Sequence, residues 1–205
     1  MTLGIATPDT LTRWIRERRS IRRYRDEPLP AGLVERLIDA ARWAPSAHNR
    51  QPWRFVVIEE VERKRALAAA MGARLRADRL ADGDDPAAVE ADAARSHARL
   101  TSAPALIAAC FTLADMDVYP DVRRAEAERL MAVQSTAMAV QNLLLLAHAE
   151  GLGACFMCAP LFCPDTVRTA LGLPADWEPQ ALVTLGYPAA AGRRRERRPM
   201  SEIVR

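Results

Sequence analysis

Trp43-Ala44-Pro45-Ser46-Ala47-His48-Asn49-Arg50-Gln51-Pro52-Trp53 stands between two segments of different hydrophobic period, and that change of period decides the fold. Upstream, Leu33, Val34, Leu37, Ile38 and Ala41 recur at helical spacing. Downstream, Phe55-Val56-Val57-Ile58 is a short apolar run of the buried-strand type. Pro45 removes an amide donor and ends the helix, while Pro52 biases Gln51 toward extended geometry. Ser46, Asn49 and Gln51 are therefore expected on a stiffened loop. Polar groups held that way suit a flat, hydrogen-bonding ligand; they equally suit an ordinary helix-to-strand connection capped by Ser and Asn.

Outward from that stretch the same alternation continues. Thr7-Pro8-Asp9, followed by Leu11, Trp14 and Ile15, predicts a capped amphipathic helix, and Pro28-Leu29-Pro30 predicts the start of the next one. Leu67, Met71, Leu75 and Leu80 mark a helix over 61–80, and Asp85-Pro86 caps another ending near Leu100; together 61–100 read as a helical lid. Residues 103–111 predict a strand buried on both faces. In the loop 114–122 the aspartates read as solvated in preference to a magnesium site. A long helix from beyond Arg123 to Glu150 ends at Gly151 as a left-handed cap. A strand over 154–157, a helix over 164–171 and a strand over 180–186 follow, with 189–205 as an extended arm. From Met138 to Ala147 the long helix is apolar around most of its circumference, which a second subunit would bury.

At 205 residues, half of them hydrophobic and 27% charged, the chain has the composition of one globular domain. Lys64 is the only lysine, and a net charge of +3 is too small to argue for nucleic acid. Neither a signal-type segment at the start nor a bilayer-length aliphatic run is apparent, so the expectation is a cytoplasmic protein with no membrane partner. Cys155-Phe156-Met157-Cys158 lacks a second C-x-x-C; with Cys110 and Cys163 it reads as small buried hydrophobes, with no metal expected.

Two further segments carry a resemblance. Arg18-Arg19-Ser20-Ile21-Arg22-Arg23-Tyr24, then Ala44 to Phe55, Gly151-Leu152-Gly153, Gly186-Tyr187-Pro188 and the basic tail are similar to the nitroreductase family of FMN-dependent oxidoreductases. The resemblance implies an α+β fold, a mixed or antiparallel sheet flanked by helices, and a homodimer with FMN at the subunit interface. It assigns Arg18, Arg19, Ser20 and Arg22 to the flavin phosphate and pyrimidine edge, with Arg22 near N1 and O2. Pro45, Ser46 and Asn49 would reach the flavin held mainly by the other subunit. Backbone amides of Cys158 and Ala159 would lie near N5 and O4, where family members often carry glycine or glutamate. Ser96 and Arg99 match more loosely, and Pro199 selects Arg195 and Arg197 as the tail's phosphate ligands.

The family's reaction passes a hydride from NADH or NADPH through flavin N5 to an electron-poor substrate, a nitroaromatic, quinone or enone, in ping-pong order. No side chain reads as a catalytic nucleophile, the G-x-G-x-x-G fingerprint is absent, and lone His48 reads as a surface residue before a proton donor. Two alternatives stand beside that reading. Asp117 to Arg124, Gly151 to Cys155 and Leu173 to Pro179 resemble the flavin domain of the enzyme that matures the deazaflavin coenzyme F-420, a reductase of its dehydro precursor. The other is a flavin-binding or flavin-cleaving relative without nicotinamide turnover.

Overall fold

Thr7 opens the first helix, α1 (Pro8–Glu17), by accepting the Thr10 amide on its side chain, as the T-P-D signature predicts. The computed structural model that shows this describes residues 7–205. After α1 come α2 (Leu33–Ala41), β1 (Trp53–Ile58), α3 (Val61–Ala81), α4 (Pro86–Thr101), β2 (Ala105–Phe111), α5 (Val122–Ala149), β3 (Gly153–Met157), α6 (Pro164–Leu171) and β4 (Glu178–Gly186). Asp85 caps α4 through the Ala88 amide, and Gly151 at φ 76 leaves the end of α5. The start of α2 differs from expectation. Pro28 and Pro30 precede the helix, which begins at Leu33 after a turn closed by the Leu33 amide on the Pro30 carbonyl, with Gly32 in the left-handed region at φ 77.

The four strands form one sheet in the order β1-β2-β4-β3, and every neighbouring pair is antiparallel. Alternation along β2 distributes the core. Ala105, Ile107 and Ala109 face α2 and the second half of α5, where Leu37, Val140, Leu143 and Ala147 are fully or almost fully buried. Leu106 and Ala108 face the other way, onto Leu67 and Met71 of α3, Leu100 of α4 and Val167 of α6. The result is a sheet between two helical layers. Residues 61–100, expected as a lid, form two adjoining helices of the second layer. Lys64 pins their base by donating to the Ala103 (2.7 Å) and Pro104 (3.0 Å) carbonyls, while their far ends are joined by Arg76–Glu90 and Arg79–Asp92 ion pairs.

α5 is long and apolar enough to span a bilayer by length and composition alone, yet one face of it is the wall of the core. Its outer stripe leaves Leu130 53% and Met138 40% exposed. Two chain segments extend the sheet beyond β3: Ser20 bridges Ala154 in parallel, and the tail returns beside it, Tyr24 bridging Pro188.

Candidate functional site

The segment 18–24 is held to the sheet edge by its backbone. The Ile21 amide donates to the Ala154 carbonyl (3.0 Å), the Arg25 amide to Tyr187 (2.9 Å), and the Ala189 amide to Arg23 (3.0 Å). Tyr24 anchors the same segment from below: its hydroxyl donates to the Ile21 carbonyl (2.6 Å) and has Thr184 Oγ1 2.6 Å away as a second partner. Close approach is allowed by glycine. A Cβ on Gly153 would meet Ile21 at 2.6 Å, and one on Gly192 would meet Arg19 at 2.3 Å, so the arm lies directly against the arginine segment.

This arrangement gathers positive charge. Burial lowers the pKa of the Arg18 guanidinium, and Arg19 and Arg197 lower it further, which sets the tail beside the first segment. Burial pushes the Cys155 thiol up, while Arg22, Arg99 and Arg18 all pull it back. Arg18, Arg22, Arg99 and Arg197 thus share one corner of the fold. Every arginine from Arg36 to Arg95 pairs with a carboxylate. Arg18, Arg22, Arg99 and Arg197 have no carboxylate within ion-pairing distance among the described residues. Guanidinium groups gathered without carboxylate partners make this corner electropositive, with the chemistry to hold an anion.

Arg19 differs from its neighbours in aim. Its guanidinium turns back to the Arg16 (2.5 Å) and Arg18 (2.9 Å) carbonyls at the end of α1. Arg195 is exposed, its carbonyl approached by Arg197 Nη1 at 3.5 Å. Cys158 and Ala159 occupy the exposed turn after β3, Pro160 is buried behind them, and Leu161 and Phe162 are exposed beside them. The other three cysteines are buried.

Ser46 and Asn49 are elsewhere. Their turn enters β1 at Trp53, opposite Phe111 at the far end of β2, whereas Ser20 sits level with Ala154, which pairs with Leu185 opposite Ala105 at the near end. The two clusters lie at diagonal corners of the sheet, about 20 Å apart along the strands and four strand spacings of about 4.8 Å across. The turn itself is strained. His48, Asn49 and Gln51 all have positive φ, 49, 54 and 50 degrees, and Gln51 is not extended as Pro52 led one to expect. It is over-determined by its contacts: Ser46 Oγ accepts from the Gln51 amide (3.1 Å), and Arg50 Nη2 donates to Asp117 (2.6 Å). Ser135 on α5 accepts from the Ala47 amide at 3.4 Å, a brace that sequence reading missed. Its only signal was a buried hydroxyl in an apolar helix. The loop aspartates serve the same braces, Asp117 on Arg50 and Asp115 on Arg54 (3.4 Å).

Residues 15–187 match the family model described as the nitroreductase family. The chain belongs to that family. Similar proteins include one from Thermus thermophilus named NADH dehydrogenase, 35% identical, with 92% of this chain and 91% of that one covered. A 5,6-dimethylbenzimidazole synthase from Rhodobacter capsulatus is 33% identical, over 88% of this chain and 84% of its own. Among solved structures, a nitroreductase from Desulfovibrio desulfuricans in complex with FMN superposes with a TM-score of 0.73 at 30% identity, covering 97% of this chain and 96% of that one. The nitroreductase fold is what the sheet order and the two helical layers build here.

Proposed function

We propose that this nitroreductase-family protein is an FMN-dependent oxidoreductase, active as a homodimer, that takes hydride from NADH or NADPH and delivers it to an electron-poor substrate in ping-pong order. The observation that carries the reading is the corner of uncompensated arginines, Arg18, Arg22, Arg99 and Arg197, gathered where the segment 18–24 and the tail cover the β3 edge of the sheet. Arg18 and Arg197, with Arg195 on the same arm, suit a phosphate dianion, which guanidinium forks hold through paired charge-assisted bonds. Arg22 would favour negative charge on the ring's pyrimidine edge, and the Ser20 hydroxyl adds a donor on the same segment. FMN, when bound there, would supply the two-electron chemistry that no side chain of this protein can perform.

The diagonal placement of the turn supports a two-chain site. In a symmetric pair, Pro45, Ser46 and Asn49 of one copy would meet the arginine corner of the other, and the exposed Leu130 and Met138 stripe of α5 would be covered. Strain at His48, Asn49 and Gln51 is then the cost of presenting those groups in a fixed pose. Substrate protonation would fall to solvent or to His48 of the same turn.

Purified protein should be yellow, and NADH or NADPH added without oxygen should bleach it. Colour that persists under both donors would overturn the oxidoreductase reading and favour the flavin-binding or flavin-cleaving alternative.

A further inference from the structure

A second group of uncompensated arginines lies outside the corner just described. Arg13 and Arg16 of α1, Arg19 and Arg194 of the arm line a cleft of about 380 Å³, with the Thr12 hydroxyl and the carboxylates of Asp9 and Glu17. Among the described residues none of these four arginines is within ion-pairing distance of a carboxylate, although Arg13 stands one helical turn from both Asp9 and Glu17. Four guanidinium groups against two carboxylates leave the lining doubly positive. The adjoining cleft, about 350 Å³, shares Glu17 and Arg19 and reaches Arg18, so the two clefts connect the outer arginines to the phosphate corner.

One flavin phosphate does not need this second set. We propose that the cleft at Arg13, Arg16, Arg19 and Arg194 is a separate site for a phosphate monoester, and that its ligand is the 2′-phosphate end of the nicotinamide donor. The inference rests on the flavin oxidoreductase reading and adds to it a preference for NADPH over NADH. A phosphate monoester carries close to two negative charges at neutral pH, which matches the lining. The volume is that of a nucleotide fragment and exceeds the need of a bare inorganic anion. Thr12 adds a hydroxyl donor, and Asp9 and Glu17 offer acceptors to a ribose hydroxyl or an adenine amino group. A donor whose nicotinamide lies on the flavin must lead its other half away from the ring, and the cleft that reaches Arg18 adjoins this one at Glu17 and Arg19.

The test combines binding with kinetics on the yellow protein. Calorimetry should show adenosine 2′,5′-bisphosphate binding more tightly than 5′-AMP, with the difference gone in the double variant Arg13→Ser, Arg16→Ser. That variant should keep its flavin and its KM for NADH, while its KM for NADPH rises about tenfold, the loss expected for a charge-assisted contact to phosphate. Equal binding of the two nucleotides, or equal rises in both donors' KM, would overturn the proposal. So would a rise confined to an acidic acceptor such as nitrobenzoate, which would assign the cleft to the substrate. Loss of flavin from the variant would merge the cleft with the flavin phosphate site and also overturn it. Failure of the underlying reading shows separately, as a wild-type protein that holds no flavin.

Discussion

Cys158 stands in the open while Cys110, Cys155 and Cys163 are buried, and that difference sets their chemistry. Burial pushes the Cys110 thiol from its ordinary 9.0 up to about 12, and only Arg168 opposes it. The folded chain therefore holds this proton more tightly than the unfolded chain. Its contribution is whole below about pH 9 and drains away as pH climbs toward about 12, a loss on the order of a few kcal/mol. Burial raises Tyr24 in the same direction, so its own loss adds at the alkaline end. Urea unfolding at pH 8 and again near pH 10.5 should show a steep fall in stability that Cys110→Ala reduces, and a chromogenic disulfide should titrate one thiol, Cys158, in the native protein at neutral pH. At this scale the sequence was legible where a residue acts on its own neighbours: Thr7 and Asp85 cap as their spacing foretold. Gln51 was not legible. Its positive φ is imposed by Ser46 and by the braces on Arg50 and Arg54 from residues more than sixty positions away, which no local preference encodes.

Elements were read well because each carries its own period, and the start of α2 was misplaced because Pro28 and Pro30 suit a helix start and a preceding turn equally. Contacts between elements are another matter. β3 holds the arginine segment only because Gly153 has no side chain: a methyl there would stand 2.6 Å from Ile21 Cγ2. Gly153→Ala should push Ser20, Ile21 and Arg22 off the sheet edge, costing about 1–3 kcal/mol of stability and a larger share of FMN affinity. Gly32→Ala is the control. It places a side chain at φ 77 with open space around it, so it strains the backbone by about 1 kcal/mol and leaves the arginine corner untouched. FMN titration of both variants, beside their thermal midpoints, separates a site effect from a folding effect. If the two variants lose flavin in proportion to stability, the sheet edge is not what positions the arginines.

The order β1-β2-β4-β3 was out of reach of sequence reading, since helices separate every pair of consecutive strands and no turn motif fixes which strands become neighbours. That order also sets the two clusters at diagonal corners, and so turns a list of motifs into an argument about two chains. If each flavin is held by Arg18 and Arg197 of one copy and by Ser46 and Asn49 of the other, defects in the two corners are separable. A chain carrying Arg18→Ala and Arg197→Ala builds no phosphate clamp, and a chain carrying Ser46→Ala and Asn49→Ala builds no turn contact; each alone should lose most of its turnover. Co-expressed, they form mixed dimers in which one site collects all four defects and the other collects none. Random pairing makes about half the dimers mixed, each with one intact site, so activity should return to about a quarter of the wild-type level. A site contained within a single chain would show no such recovery, because every copy in the mixture would still carry its own defect. Recovery that disappears when the mixture is diluted below the dimer dissociation constant would tie the restored turnover to the shared interface.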